Sequence, residues 1–136
     1  MRRSIRYFLA ILLGVLAVFL VQFMLTKLWN AAGISWGPNN LPFSLTQQIG
    51  MLSSAFIAGV IGPCVAVIVA RKKALVLIIS FLLIGLSIDL YAAFVPLKPV
   101  AIWFRTAWVL SVPVQIYFGI ELGGRIIKSN SKQQRL

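Results

Sequence analysis

The sequence predicts an all-α membrane protein: four transmembrane helices in an up-down-up-down antiparallel bundle, with both chain ends on the cytoplasmic side. Three observations lead there. Of 136 residues, 60% are hydrophobic and 11% charged, and the mean hydropathy is +0.97, a balance that suits lipid and not water. The apolar residues fall in runs long enough to cross a hydrocarbon core of roughly 30 Å as helices. The 13 cationic residues punctuate the ends of those runs and build no basic face, which argues against a nucleic-acid-binding module.

The topology is anchored at Arg71-Lys72-Lys73, between two uncharged apolar stretches. Lys and Arg collect in short cytoplasmic loops, so this triplet marks the inner end of a helical hairpin. Before it, a basic head (Arg2, Arg3, Arg6) leads into a first span over 7–27. A basic head and an apolar core also describe a signal peptide, whose removal would leave three helices. The run is about twice the usual 7–15-residue apolar core and lacks Ala-x-Ala near its end, which favours an uncleaved span.

The uncharged segment 28–48 carries Trp29, Trp36, Pro38, Asn39 and Asn40 and reads as an external loop, its indoles at the headgroup level. A second span follows over 49–70 and a third over 74–95. Pro96 and Pro99 then force a short outer turn. The fourth span covers 101–127, and 128–136 is expected as a mobile basic tail. On this layout Arg2, Arg3, Arg6, Arg71, Lys72, Lys73, Arg125, Lys128, Lys132 and Arg135 face the cytoplasm, where they also meet anionic lipid. Lys27, Lys98 and Arg105 lie at or near the outer surface.

Lipid removes the hydrophobic drive for helix association, so packing is sought where small residues recur. Ser54, Ala58, Gly62, Ala66 and Ala70 fall at intervals of four in the second span. Ala107, Ser111, Gln115, Gly119 and Gly123 do so in the fourth, and Ala10 and Gly14 make a shorter version in the first. These faces serve either the bundle itself or a membrane-protein partner or second copy. Pro63 and Pro113 each weaken a helix one turn upstream, at Gly59 and Val109, as an ordinary kink or as a gating element.

Charged groups inside the membrane are costly and are expected in pairs. Counting outward from a turn centred between Leu97 and Lys98 puts Asp89 and Arg105 at similar depth. They are expected to pair, with Gln22 as a third member and Gln115 extending the polar path. Arg105 snorkelling to the outer interface is the alternative. Glu121 has two candidate partners, Arg125 one turn on and the Arg71–Lys73 turn. Arg105 and Glu121 are separated by about 24 Å of helix, so Asp89 and Glu121 cannot flank one reacting atom. With no His and a single Cys64, read as a packing residue, the sequence points to no catalysis, no metal and no cofactor.

Gly59-x-x-Gly62-x-x-x-Ala66-x-x-x-Ala70-Arg71, Pro99 followed by Trp103, Pro113, and Gly119 to Gly123-Gly124 together resemble a loose class of small bacterial four-helix inner-membrane proteins of unassigned function. The resemblance implies a multi-pass protein of the bacterial cytoplasmic membrane. Two functions are then expected: an accessory or assembly subunit packing through its small-residue faces, or a small oligomeric transporter or channel whose polar path includes Asp89 and Arg105.

Overall fold

Long runs of Leu, Ile, Val and Phe broken by few polar groups leave the backbone to satisfy its own hydrogen bonds, and in lipid the α-helix does this within one segment. The computed structural model describes residues 2–134 and contains four such helices: α1 (Arg2–Ala31), α2 (Leu45–Ala70), α3 (Leu75–Phe94) and α4 (Ile102–Gln133). No strand occurs among the described residues. Arg135 and Leu136, part of the expected basic tail, lie outside them. The first three helices are long and apolar enough to cross a membrane. α4 carries Arg105, Ser111, Gln115 and Glu121 within its apolar stretch and is less hydrophobic.

Three helices are longer than the sequence expectation. α1 covers Arg2–Ala31 instead of 7–27, taking in the basic head and the first residues of the expected loop. α2 begins at Leu45, ahead of position 49, because Ser44 caps it: the Ser44 hydroxyl accepts from Gln47 N–H, and the Gln47 side chain accepts from Ser44 N–H. This reciprocal box satisfies two N–H groups that would otherwise be orphaned. α4 continues to Gln133, so residues 128–133 extend the helix beyond its apolar stretch.

α1 antiparallels α2. Arg6 Nε donates to the Val69 carbonyl at one end (3.2 Å), and Trp29 Nε1 donates to Ser54 Oγ at the other (2.8 Å). Between these points the backbones nearly touch. A Cβ on Gly14 would come within 2.7 Å of the Gly62 carbonyl oxygen, and one on Gly62 would overlap Val18. α2 and α4 run parallel and equally close: a Cβ on Gly119 would overlap the Val60 carbonyl, and one on Gly123 would lie 2.9 Å from the Cys64 carbonyl. The small-residue stripes expected in α2 and α4 are therefore buried largely within the chain, with Ser54, Ala58, Gly62, Ala66, Gly119 and Gly123 all inaccessible.

α3 packs on α4 more lightly and touches α1 and α2 sparsely. In cross-section the order around the bundle is α1, α2, α4, α3, with a loose seam between α3 and α1. A core of Ala10, Ala66, Val67, Leu77, Phe81 and Ile116 fills one half. In the other, Leu41 from the long loop meets Leu97, Val100 and Phe104 at the α3–α4 turn. Large side chains such as Phe8, Phe19, Leu83 and Phe94 point outward, the surface a lipid solvent accepts.

Candidate functional site

The looseness of the α1–α3 seam leaves a cavity of about 240 Å³ in the middle of the bundle, walled by all four helices. α1 contributes Val18, Phe19 and Gln22. α2 contributes Ala55, Ala58 and Gly59, α3 Phe81, Ile88 and Asp89, and α4 Trp108, Val112 and Gln115. Phe19 and Ile88 line the cavity while remaining 61% and 49% exposed on the outer surface. Since they stand on either side of the seam, the cavity opens sideways, toward the lipid-facing surface between α1 and α3.

The walls are overwhelmingly apolar, so their few polar atoms stand out. Gln115 is buried and held: its Nε2 donates to Ser111 Oγ at 2.6 Å, and that hydroxyl donates to the Trp108 carbonyl at 2.7 Å. Its amide oxygen sits against Gly59, where a Cβ would overlap it. Pro63 lacks the N–H that would bond the Gly59 carbonyl, so glycine and proline together relax α2 beside this amide.

Other groups are not held. Gln22 Oε1 and Trp108 Nε1 are buried with no hydrogen-bond partner. Trp108 is the nearest side-chain donor to Asp89, yet its N–H forms no hydrogen bond to the carboxylate. Buried polar groups are normally satisfied, and leaving one bare costs about 1–3 kcal/mol.

Of the polar cluster expected from sequence, Gln22, Asp89 and Gln115 line one cavity and Arg105 does not. The expected Asp89–Arg105 ion pair is not formed among the described residues. Arg105 Nη1 instead reaches the Ala93 carbonyl at 3.4 Å, and its Nε is buried without a partner. The reason is the position of the turn. Arg105 and Ala93 lie six residues to either side of Pro99, so the hairpin is centred there and not between Leu97 and Lys98. The shift moves Arg105 about one helical turn (~5.4 Å) outward of Asp89. Trp108, which the sequence analysis did not single out, lines the cavity with Asp89 instead. Its spacing to Ser111 and Gln115, three and then four residues, was the available signal that it shares their face.

At the opposite end of the bundle the Arg71-Lys72-Lys73 triplet divides. Lys73 Nζ meets Glu121 Oε1 at 2.5 Å and lies over Gly124 of α4. Arg71 and Lys72 turn the other way, into a groove shared with Arg3, Arg6 and Tyr7 of α1. Cys64 is buried and free, packed beside Gly119 and Gly123.

No protein-family model, no curated protein and no solved structure matches the chain.

Proposed function

We propose that this chain is a non-catalytic multi-pass protein of the bacterial cytoplasmic membrane that admits a small, mostly apolar molecule with a positively charged, hydrogen-bond-donating end into its central cavity, and carries it as a small transporter. The observation that supports this most directly is Gln22 Oε1, a buried acceptor without a partner, lining the same mostly apolar chamber as the Asp89 carboxylate. Both groups are acceptors, which suits a ligand with a cationic donor. Pockets for small molecules have this composition, apolar walls with a few convergent polar atoms. The volume is more than half again that of an apolar cavity of roughly 150 Å³ that holds benzene, so one aromatic ring with a short ammonium arm fits. The lateral opening suits a molecule that partitions into lipid first.

In this reading all four helices span the bilayer, with both chain ends inside. α4 is carried through by running beside α2, with Ser111 and Gln115 turned toward the bundle. The cationic groups Arg3, Arg6, Arg71, Lys72, Arg125 and Lys128 share one end of the bundle, as a cytoplasmic face requires. An accessory-subunit role through the small-residue faces has less support, because those faces are occupied inside the chain. A self-associated form remains compatible with the lipid-facing surface.

The test is equilibrium binding of phenethylammonium to the full chain in lipid nanodiscs, with uptake by proteoliposomes as the second measurement. A hydrogen bond to a charged group is worth about 1.5–3 kcal/mol, so Asp89→Asn is expected to weaken binding about ten- to 150-fold. 3-Phenylpropanoate, similar in size but anionic, is expected not to bind. Equal affinity for wild type and Asp89→Asn, or equal binding of the anion, would overturn the proposal. Binding without uptake would remove its transport half.

A further inference from the structure

The groove between the start of α1 and the α2–α3 turn, with a volume of about 270 Å³, is lined by Arg3, Arg6, Tyr7, Ala70, Arg71 and Lys72. Four cations converge there from segments more than sixty positions apart in sequence. No carboxylate lines it. The chain has two acids, and Glu121 is engaged by Lys73 while Asp89 stands in the central cavity. Like charges gathered without a counter-charge repel one another, so the gathering needs a reason in the fold or in a ligand.

The fold supplies part of it. Arg6 Nε donates to the Val69 carbonyl, one of the last four carbonyls of α2, which lack a helical partner. That bond fixes the guanidinium at the groove wall through Nε and does not use its two terminal nitrogens.

Arg71 is a second, independent sign. It closes α2 in the left-handed conformation at φ 53, ψ 28, with Arg71 N–H donating to the Ile68 carbonyl and Lys72 N–H to the Val67 carbonyl. This is the doubly bonded cap whose left-handed position is ordinarily glycine, because a Cβ is strained there. A long cationic side chain at that position works against the backbone and delivers charge to the groove.

We infer that Arg3, Arg6, Arg71 and Lys72 form a binding site for a phosphate-bearing anion, and that its occupant is the headgroup of an anionic phospholipid. Guanidinium groups match phosphate oxygens in forked geometry. Basic pockets between helices at the membrane surface take such headgroups. The lipid source follows from position: Ile5 and Phe8, on the same turns of α1 as the cations, are exposed apolar side chains at which acyl chains lie alongside the helix. Tyr7, which also lines the groove, carries an uncharged donor.

The experiment is native mass spectrometry and thermal unfolding of the purified full chain, titrated separately with phosphatidylglycerol, phosphatidylethanolamine and inorganic phosphate. Phosphatidylglycerol is expected to remain bound at one copy per chain and to raise the unfolding temperature, with phosphatidylethanolamine doing neither. Each cation near an anionic surface contributes about fivefold in affinity, so Arg6→Gln with Arg71→Gly is expected to weaken retention roughly 30-fold. Arg71→Gly alone separates the two roles of that residue: it removes backbone strain, so lipid-free stability holds or rises while lipid affinity falls. Arg125→Gln with Lys128→Gln, which removes equal charge from the same end but outside the groove, is expected to leave retention unchanged.

Equal loss in the Arg125/Lys128 variant would overturn the site in favour of diffuse attraction. Unaltered lipid affinity in Arg71→Gly would overturn it as well. Stabilisation by inorganic phosphate alone, with no response to phosphatidylglycerol, would overturn the lipid assignment.

Discussion

The close approach of α4 to α2 at Gly119 offers a measurement in which two energetic terms can be separated. A Cβ at Gly119 would overlap the Val60 carbonyl and sit 3.0 Å from Pro63 Cβ and 3.3 Å from Cys64 N, so two of its three neighbours are backbone and cannot step aside. A Cβ at Gly85 would meet one side-chain atom, Val112 Cγ1 at 3.0 Å, which a small rotation relieves. Replacing glycine by alanine inside a helix gains about 0.8–1.0 kcal/mol of propensity at either position. Forcing extra volume into a packed contact costs about 1–3 kcal/mol, and that cost falls on Gly119→Ala alone. Propensity cancels between the two variants, so their stabilities should differ by about 1–3 kcal/mol, or about five- to 150-fold in the unfolding equilibrium. Titration with sodium dodecyl sulfate in mixed micelles, followed by circular dichroism, reads this directly. If Gly119→Ala proves as stable as Gly85→Ala, α2 and α4 do not approach as described.

Further outcomes follow from the same geometry. Gly59→Ala puts a Cβ where the Gln115 amide oxygen lies, so it should displace that side chain and reduce phenethylammonium affinity; unchanged affinity in nanodiscs would detach Gln115 from the cavity. Trp29→Phe removes the hydrogen bond to Ser54 and should lower stability by about 0.5–1.5 kcal/mol in the same micelle titration. Lys73→Glu should destabilise the turn, and adding Glu121→Lys should return the unfolding midpoint toward wild type; a double variant worse than either single one would deny that the two side chains meet. A reporter fused to the C-terminus should be active in the cytoplasm and silent in the periplasm, and the opposite pattern would invert the bundle.

Helix number and approximate placement were legible because lipid imposes a coarse rule: apolar runs of sufficient length, ended by Lys, Arg and Pro. The small-residue stripes were legible for a related reason, since glycine and alanine repeated every four residues have few uses in lipid besides close approach. Finer features depended on distances that periodicity cannot supply. The start of α2 was written in Ser44 and Gln47, a capping box obscured by the uncharged loop before it. The expected Asp89–Arg105 pair fails by about one turn because Pro99, not the Leu97–Lys98 step, centres the outer hairpin. Trp108 went unnoticed because in a membrane sequence tryptophan is first read as a marker of the interface. The cavity itself has no sequence signature, for it arises from a seam that α1 and α3 fail to close.

α2 packs closely along both α1 and α4, whereas α3 packs only lightly on its neighbours and α1 and α4 do not pack on each other. Substitutions should consequently be absorbed very unevenly as the chain diverges. The outward flank of α1 can exchange one bulky aliphatic for another with little penalty, while changes along α2 propagate to two closely packed neighbours at once. A saturation library screened for folded chain would expose that asymmetry as a sharp depletion confined to the second helix and to the glycines lying against it.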